Sequence, residues 1–254
     1  MRSLIQLLEA HDLTVDSKFK KQLEKAIKHL ETKEKVLLLT TSNRGAYGTK
    51  ELKDKPKSTR IAEVMQQAIG AHKCTLVDVS KLKIYSCEGN VSGNNGNTCG
   101  TRASKIKDTS KNPSGHLRCW ASFNNLDDEL WKITTPLFES QAVVFLGSIR
   151  WGQANAIYQK LIERLNWIEN RHATLGERNV VKDIESGFIF LGQNWNGADV
   201  TKLQKEVHEL YGFKPVDDLY LSWQYTDDMY DESQDSYKDA VHALDNILDP
   251  KDIL

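Results

Sequence analysis

Cysteine is scarce: four thiols in 254 residues are too few for the dense disulfide framework of a small secreted scaffold. Long hydrophobic runs are missing as well. No apolar stretch approaches the ~20 residues that cross a bilayer. The opening Met1-Arg2-Ser3-Leu4-Ile5-Gln6-Leu7-Leu8-Glu9 is broken by Gln6 and Glu9 before a signal-peptide core can form. The expectation is a cytoplasmic protein without a membrane partner. Nor is there a surplus of charge: 34 Lys and Arg against 35 Asp and Glu leave a net charge of −1. That balance argues against a nucleic-acid partner held by global positive charge, because neutralising phosphates takes a basic surface. With 39% hydrophobic and 27% charged residues, the chain has the composition of a folded protein of one large domain or two small ones.

The pattern along the chain alternates between strands and helices. After Asp16-Ser17 as a cap, Phe19, Leu23, Ile27 and Leu30 recur at helical spacing with lysines on the other faces. This narrow stripe suits packing against the chain's own domain or a neighbouring subunit. Val36–Thr41 is a continuous apolar run, as in a strand covered on both faces. A helix from Ser58 to Ile69 and a strand at Cys74–Val79 complete a parallel crossover. The alternation resumes with a helix near Asp127–Phe138, a strand at Ala142–Ser148 and a helix at Ala154–Asn170. A strand at Gly187–Gly192, a helix at Asp199–Tyr211, a strand near Val216–Trp223 and a final helix near Gln234–Leu248 follow. Five strands of this kind make an α/β doubly wound parallel sheet, whose ligand site lies at the carboxyl ends of the strands. Two polar insertions, 45–57 and 88–122, interrupt the pattern after strands, where lids and binding segments occur.

Three loops at that edge carry candidate chemistry. Ser42, Arg44, Ser58 and Thr59 put hydroxyls and a guanidinium where a helix amino terminus presents unpaired N–H groups, a recipe for holding a phosphate. A plain helix cap is the competing reading of the Ser-Thr pair. No Walker loop or Gly-x-Gly-x-x-Gly fingerprint follows the first strand. The second loop, Gly147-Ser148-Ile149-Arg150-Trp151-Gly152-Gln153-Ala154-Asn155, offers backbone N–H groups and an aromatic ring to a flat ligand, and the third is Gly192-Gln193-Asn194-Trp195-Asn196-Gly197. His-Glu-x-x-His and Gly-x-Ser-x-Gly are both absent, so a zincin or a serine hydrolase lacks its signature. Cys87, Cys99, His116 and Cys119 share one insertion. Zinc, an iron–sulfur cluster, free thiols and a reversible disulfide all remain readings of that set, with unliganded or reversibly paired thiols favoured.

Thr41-Ser42-Asn43-Arg44, resumed after an insertion of about a dozen residues by Lys57-Ser58-Thr59-Arg60-Ile61-Ala62, resembles the phosphate loop of NAD(P)H-dependent FMN reductases, which this sequence splits. Phe145–Gly152 with Leu161-Ile162-Glu163-Arg164-Leu165 is similar to a second segment of that family. Leu82–Cys87 with Asp127-Asp128-Glu129 is similar to its iron–sulfur flavoprotein branch, although Asn90 stands where that branch has its second cysteine. The resemblance implies a flavodoxin-like five-stranded sheet of order 2-1-3-4-5, with residues 1–34 as an amino-terminal helical extension and 35–254 as the FMN-binding domain. It also implies an oxidoreductase that passes hydride from NADH or NADPH to FMN and on to a quinone or flavin, in a homodimer or homotetramer. The alternative it leaves is a flavodoxin-like electron carrier or redox-responsive FMN protein. Ser42, Arg44, Ser58 and Thr59 would hold the phosphate. Ser148, Ile149, Arg150, Trp151 and Gly152 would line one side of the isoalloxazine, and Gln193, Asn194 and Trp195 another. The cofactor supplies the redox chemistry, so no catalytic side chain and no metal are expected.

The near-zero net charge hides local asymmetry. Lys50–Arg60 carries five basic against two acidic residues and Arg102–Arg118 five against one, whereas Asp227–Asp239 carries one against six. A basic rim near the expected site suits phosphorylated nucleotides.

Overall fold

The computed structural model describes residues 3–43, 55–89, 98–192 and 196–224. Its sheet runs β2 (Cys74–Asp78), β1 (Val36–Thr40), β3 (Ala142–Arg150), β5 (Glu185–Gly192) and β6 (Lys214–Gln224), with every neighbouring pair parallel. The two-residue β4 (Gln153–Ala154) folds back antiparallel on β3. Leaving β4 aside, this is the expected 2-1-3-4-5 order, and its reversal point lies between β1 and β3.

Period-two alternation divides the strands between two cores. Leu37, Leu39, Val143, Phe145, Phe188 and Phe190 face one apolar cluster; Val36, Leu38, Val144, Leu146, Ile189 and Leu191 face the other. The first cluster holds α4 (Trp120–Asn124), α5 (Trp131–Glu139) and α6 (Ala156–Ala173), with α7 (Gly197–Leu210) packed on β5 and β6. The second holds α1 (Leu4–Ala10), α2 (Ser17–Glu31) and α3 (Lys57–Ile69).

Helix α2 begins where its capping residue predicts, with the Asp16 carboxylate accepting from the N–H groups of Lys18 and Phe19 at 2.8 Å each. Its stripe of Phe19, Leu23, Ala26, Ile27 and Leu30 is buried, and Phe19 stacks on Trp223 of β6 with ring centroids 5.1 Å apart. The stripe is therefore covered by the chain's own sheet, and residues before 34 share one core with the rest. Helix α1 is an addition to the expected pattern, started by a Ser3–Gln6 capping box. Helix α5 begins at Trp131 instead of Asp127, because the Asp128 carboxylate is engaged in tertiary bonds ahead of the first turn. Ala154 pairs in β4, so α6 starts two residues later than expected. The expected helix near Gln234–Leu248 lies outside the described residues.

The α7 face contains a buried polar chain. Tyr158 donates to Gln204 Oε1 at 2.7 Å and lies 3.0 Å from His208 Nε2, while His208 Nδ1 lies 2.8 Å from the Tyr220 hydroxyl, itself 2.8 Å from Ser186 Oγ. Since the Tyr158 proton goes to Gln204, His208 Nε2 donates to Tyr158. Burial keeps the imidazole neutral, so its Nδ1 accepts from Tyr220. Burial accordingly pushes the His208 pKa from 6.5 down to about 3. The resulting stability is present above pH 6.5 and is lost as the pH falls towards 3, by ~1.4 kcal/mol per pH unit. Urea unfolding between pH 7 and pH 4.5 is expected to show this slope in excess of a His208→Gln variant. Equal slopes in the two proteins would show that His208 is not the group responsible.

Candidate functional site

The carboxyl ends of β1 and β3 meet through one side chain. Asn155, buried at the amino end of α6, accepts from the Thr41 hydroxyl at 3.0 Å and from Ser148 N–H at 3.1 Å. Its amide donates to Thr41 O at 2.7 Å. This three-bond clamp sets the spacing of the two strand ends at the point where the strand order reverses, the expected ligand crevice. Asn155 ends the second loop but was not among the ligand contacts expected from sequence. The available signal was an Asn at a helix cap immediately after a strand and turn. Gly147 lies against the clamp, and a Cβ there would come within 2.5 Å of Asn155 Oδ1 and of the Phe190 ring. Gly147→Ala is expected to cost about 1–3 kcal/mol through overpacking, read as a lowered urea midpoint. An unchanged midpoint would mean that the clamp gives way freely.

Beside the clamp, the two halves of the split loop converge. Ser42 Oγ, beyond the end of β1, lies 2.8 Å from Ser58 Oγ in the first turn of α3. The N-cap of α3 is Pro56, which makes no side-chain capping bond, so the first N–H groups of the helix have no cap from that residue. The Thr59 hydroxyl and the neighbouring Thr40 hydroxyl are buried and have no hydrogen-bond partner among the described residues. Thr40, Ser42 and Thr59 line a cavity of about 250 Å³ that also receives Lys55 and Lys81, each paired with a carboxylate: Lys55 with Glu63 at 2.8 Å and Lys81 with Asp78 at 3.4 Å. The cavity opens on the β2 side of β1. Orphan hydroxyls and an uncapped helix start are what an anion needs. Arg60, though part of the same segment, points elsewhere: its guanidinium donates to the carbonyls of His11 and Asp12 at 3.2 and 2.6 Å, tying α3 to the α1–α2 loop. Arg44 lies outside the described residues.

The second loop is a tight hairpin between β3 and β4. Both of its turn residues have positive φ, 50° at Trp151 and 69° at Gly152, as a type I′ connection demands. An indole on a left-handed backbone is uncommon, and this one is 87% exposed. Arg150 is exposed beside it, whereas Ile149 is 2% exposed and its side chain packs in the core against Gly192. Ser148 is half-buried and its N–H belongs to the clamp. From the third loop, Gln193, Asn194 and Trp195 lie outside the described residues. Asn196, with φ 76°, donates to Gly152 O at 3.0 Å and ties that loop to the hairpin.

The segments similar to the reductase family prove to be joined inside the protein. Arg164 of α6 holds Asp128 through both nitrogens, at 2.8 and 3.0 Å, with both side chains fully buried. Arg164 also donates to Tyr85 O and Ser122 Oγ; Asp128 accepts from Tyr85 N–H, Leu130 N–H and the Ser122 hydroxyl. Burial pushes the Asp128 carboxyl up, but the Arg164 guanidinium overcomes it and the net shift is downward. The pair pins the 85 and 122–130 segments onto α6 and lies within the fold. Cys99 and Cys119 are buried in the same apolar cluster, and burial pushes the Cys99 thiol up to about 12. His116 stacks edge-on against Phe138, held below its ordinary value by burial and by Arg171. Among the described residues, no group of three or more His, Cys, Asp or Glu side chains is arranged to hold a metal.

No protein-family model matches the sequence, and no curated protein matches it significantly. Solved structures do. RosB, crystallised with the intermediate 8-demethyl-8-formylriboflavin-5′-phosphate, aligns over 81% of this chain and 70% of its own with a TM-score of 0.53 at 12% identity. That likeness establishes a shared fold. An FMN-dependent NADH-azoreductase from Bacillus anthracis in complex with FMN aligns over 84% of this chain and 99% of its own, with a TM-score of 0.44 at 10% identity. Among the described residues, no helix is long and apolar enough to cross a membrane.

Proposed function

We propose that the chain is an FMN-dependent NAD(P)H oxidoreductase of the flavin or quinone reductase type. The observation that supports the reading is the approach of Ser42 to Ser58 at 2.8 Å, which joins the two segments similar to a phosphate loop at the start of α3, where Pro56 makes no side-chain capping bond. The sheet order supports it, since sheets of this order take FMN at the β1/β3 reversal. So does the shared fold with RosB, whose structure holds a flavin phosphate.

The residues fit the cofactor. The α3 N–H groups with the hydroxyls of Ser42, Ser58 and Thr59 would hold the phosphate, and the unpartnered Thr59 hydroxyl would gain an acceptor. Asn155 fixes the crevice width between Thr41 and Ser148. Trp151, held out by the I′ turn and braced through Gly152 by Asn196, would offer its indole to the flat ring. Arg150 places a cation at the same edge. The bound cofactor would supply the redox chemistry, hydride transfer from NADH or NADPH and onward electron transfer to a quinone or a free flavin, while these residues bind and orient it. The same reading includes Arg44, Gln193, Asn194 and Trp195 as further cofactor contacts, a homodimer or homotetramer, and residence in the cytoplasm.

Anaerobic addition of NADH or NADPH to the FMN-loaded protein is the test. Loss of the yellow colour within the mixing time of one of the two supports the reductase. A loaded protein that neither nucleotide bleaches contradicts it and leaves an electron carrier.

A further inference from the structure

A second cavity, of about 340 Å³, lies in the insertion before α5, lined by Ile106, Leu117, Phe123, Leu126 and Trp131. Its size falls within the range of small-molecule pockets, about 300–1,000 Å³. Two of its apolar side chains stand in water at the mouth, Leu126 at 81% and Phe123 at 40% exposure. Such adjacent exposed apolar groups leave area that a ligand can desolvate.

The polar groups of the lining set the sign of the ligand. Asp128 and Ser122 are tied to Arg164 and to each other, so the floor presents no free carboxylate. Asp108 accepts from both the N–H and the hydroxyl of Ser110, which holds its carboxyl below the usual range. Lys111 donates to Leu126 O at 2.6 Å and braces the mouth. Lys107 is exposed at the rim and makes no ion pair among the described residues. With Asp128 countered by Arg164, Lys107 and Lys111 against the ionised Asp108 leave the opening one positive charge in excess, in a segment where basic residues outnumber acidic ones five to one between Arg102 and Arg118.

We propose that this cavity is a binding site for a small aromatic anion, with its ring against Trp131, Phe123 and Leu117 and its carboxylate or sulfonate at Lys107. It has Asp128 in its lining, shares no lining residue with the cavity at Ser42 and Thr59, and is independent of the flavin reading.

1-Naphthoate is the probe, titrated into the full chain with saturating FMN present and followed by its fluorescence. The expected result is saturable one-to-one binding, at least tenfold tighter than that of 1-naphthylmethylammonium. Lys107→Glu and Leu126→Asp, both at exposed positions and checked for unchanged circular dichroism, should each weaken naphthoate at least tenfold. Equal affinity for the two probes overturns the charge assignment. Absence of saturable binding, or binding unchanged in both variants, overturns the site. A parallel titration without FMN shows whether naphthoate merely occupies the flavin crevice: binding that appears only there also overturns the proposal. A protein that fails to bind FMN but still binds naphthoate with these preferences leaves the proposal standing and removes only the flavin reading.

Discussion

Asp128→Ala is expected to destabilise the protein by about 3–5 kcal/mol, a large part of the ~5–15 kcal/mol that holds a typical domain folded. The substitution leaves the Arg164 guanidinium fully buried and short of both carboxylate bonds, and it strips acceptors from Tyr85 N–H, Leu130 N–H and the Ser122 hydroxyl. An uncompensated buried cation is the dominant penalty, since the carboxylate itself gives up little in packing volume. The double variant Asp128→Leu with Arg164→Met removes both charges and should recover much of the loss, because apolar replacement of a whole buried pair is often close to neutral. Urea midpoints of the single and double variants decide it. A single variant within 1 kcal/mol of the parent would show that the pair contributes little, and a double variant worse than the single would show that the unpaired cation is not the dominant penalty.

Ser58→Ala combined with Thr59→Ala should weaken FMN binding about 100-fold, taking ~1.5 kcal/mol for each hydrogen bond lost to a charged phosphate. Ser42 and the α3 N–H groups remain, so binding is reduced and not abolished. Riboflavin, which has the same ring and no phosphate, should bind parent and variant alike. Ser58 also bonds Ser42, so circular dichroism must first show that the variant keeps its fold. Unchanged FMN affinity would place the phosphate away from α3.

The central strands β1, β3 and β5 are legible because each holds a buried apolar run between polar boundaries, and Asp16 announces the start of α2 by its chemistry. Other features depend on partners distant in sequence. Nothing local to Asp128 shows that it will meet Arg164, 36 residues on, and so delay α5 to Trp131. Ile149 reads as one residue of a binding loop, yet strand alternation turns it into the core, while Trp151 on the neighbouring turn stays outside. The start of α1 did carry a local sign, Ser3 with Gln6 three residues later, hidden by the shortness of the helix. At the site, hydroxyl chemistry marked Ser42, Ser58 and Thr59, and the structure brings the first two into contact across the insertion. Asn155, at the end of the second loop, did not stand out because its capping position disguises a side chain that reaches across to β1 instead.

The account stands on phosphate recognition at the β1–α3 junction, and titration of the unaltered protein with FMN and with riboflavin, followed by quenching of flavin fluorescence, tests it most directly. It predicts one FMN per chain, bound at least 100-fold more tightly than riboflavin; absence of saturable FMN binding, or equal affinity for the two flavins, would contradict it.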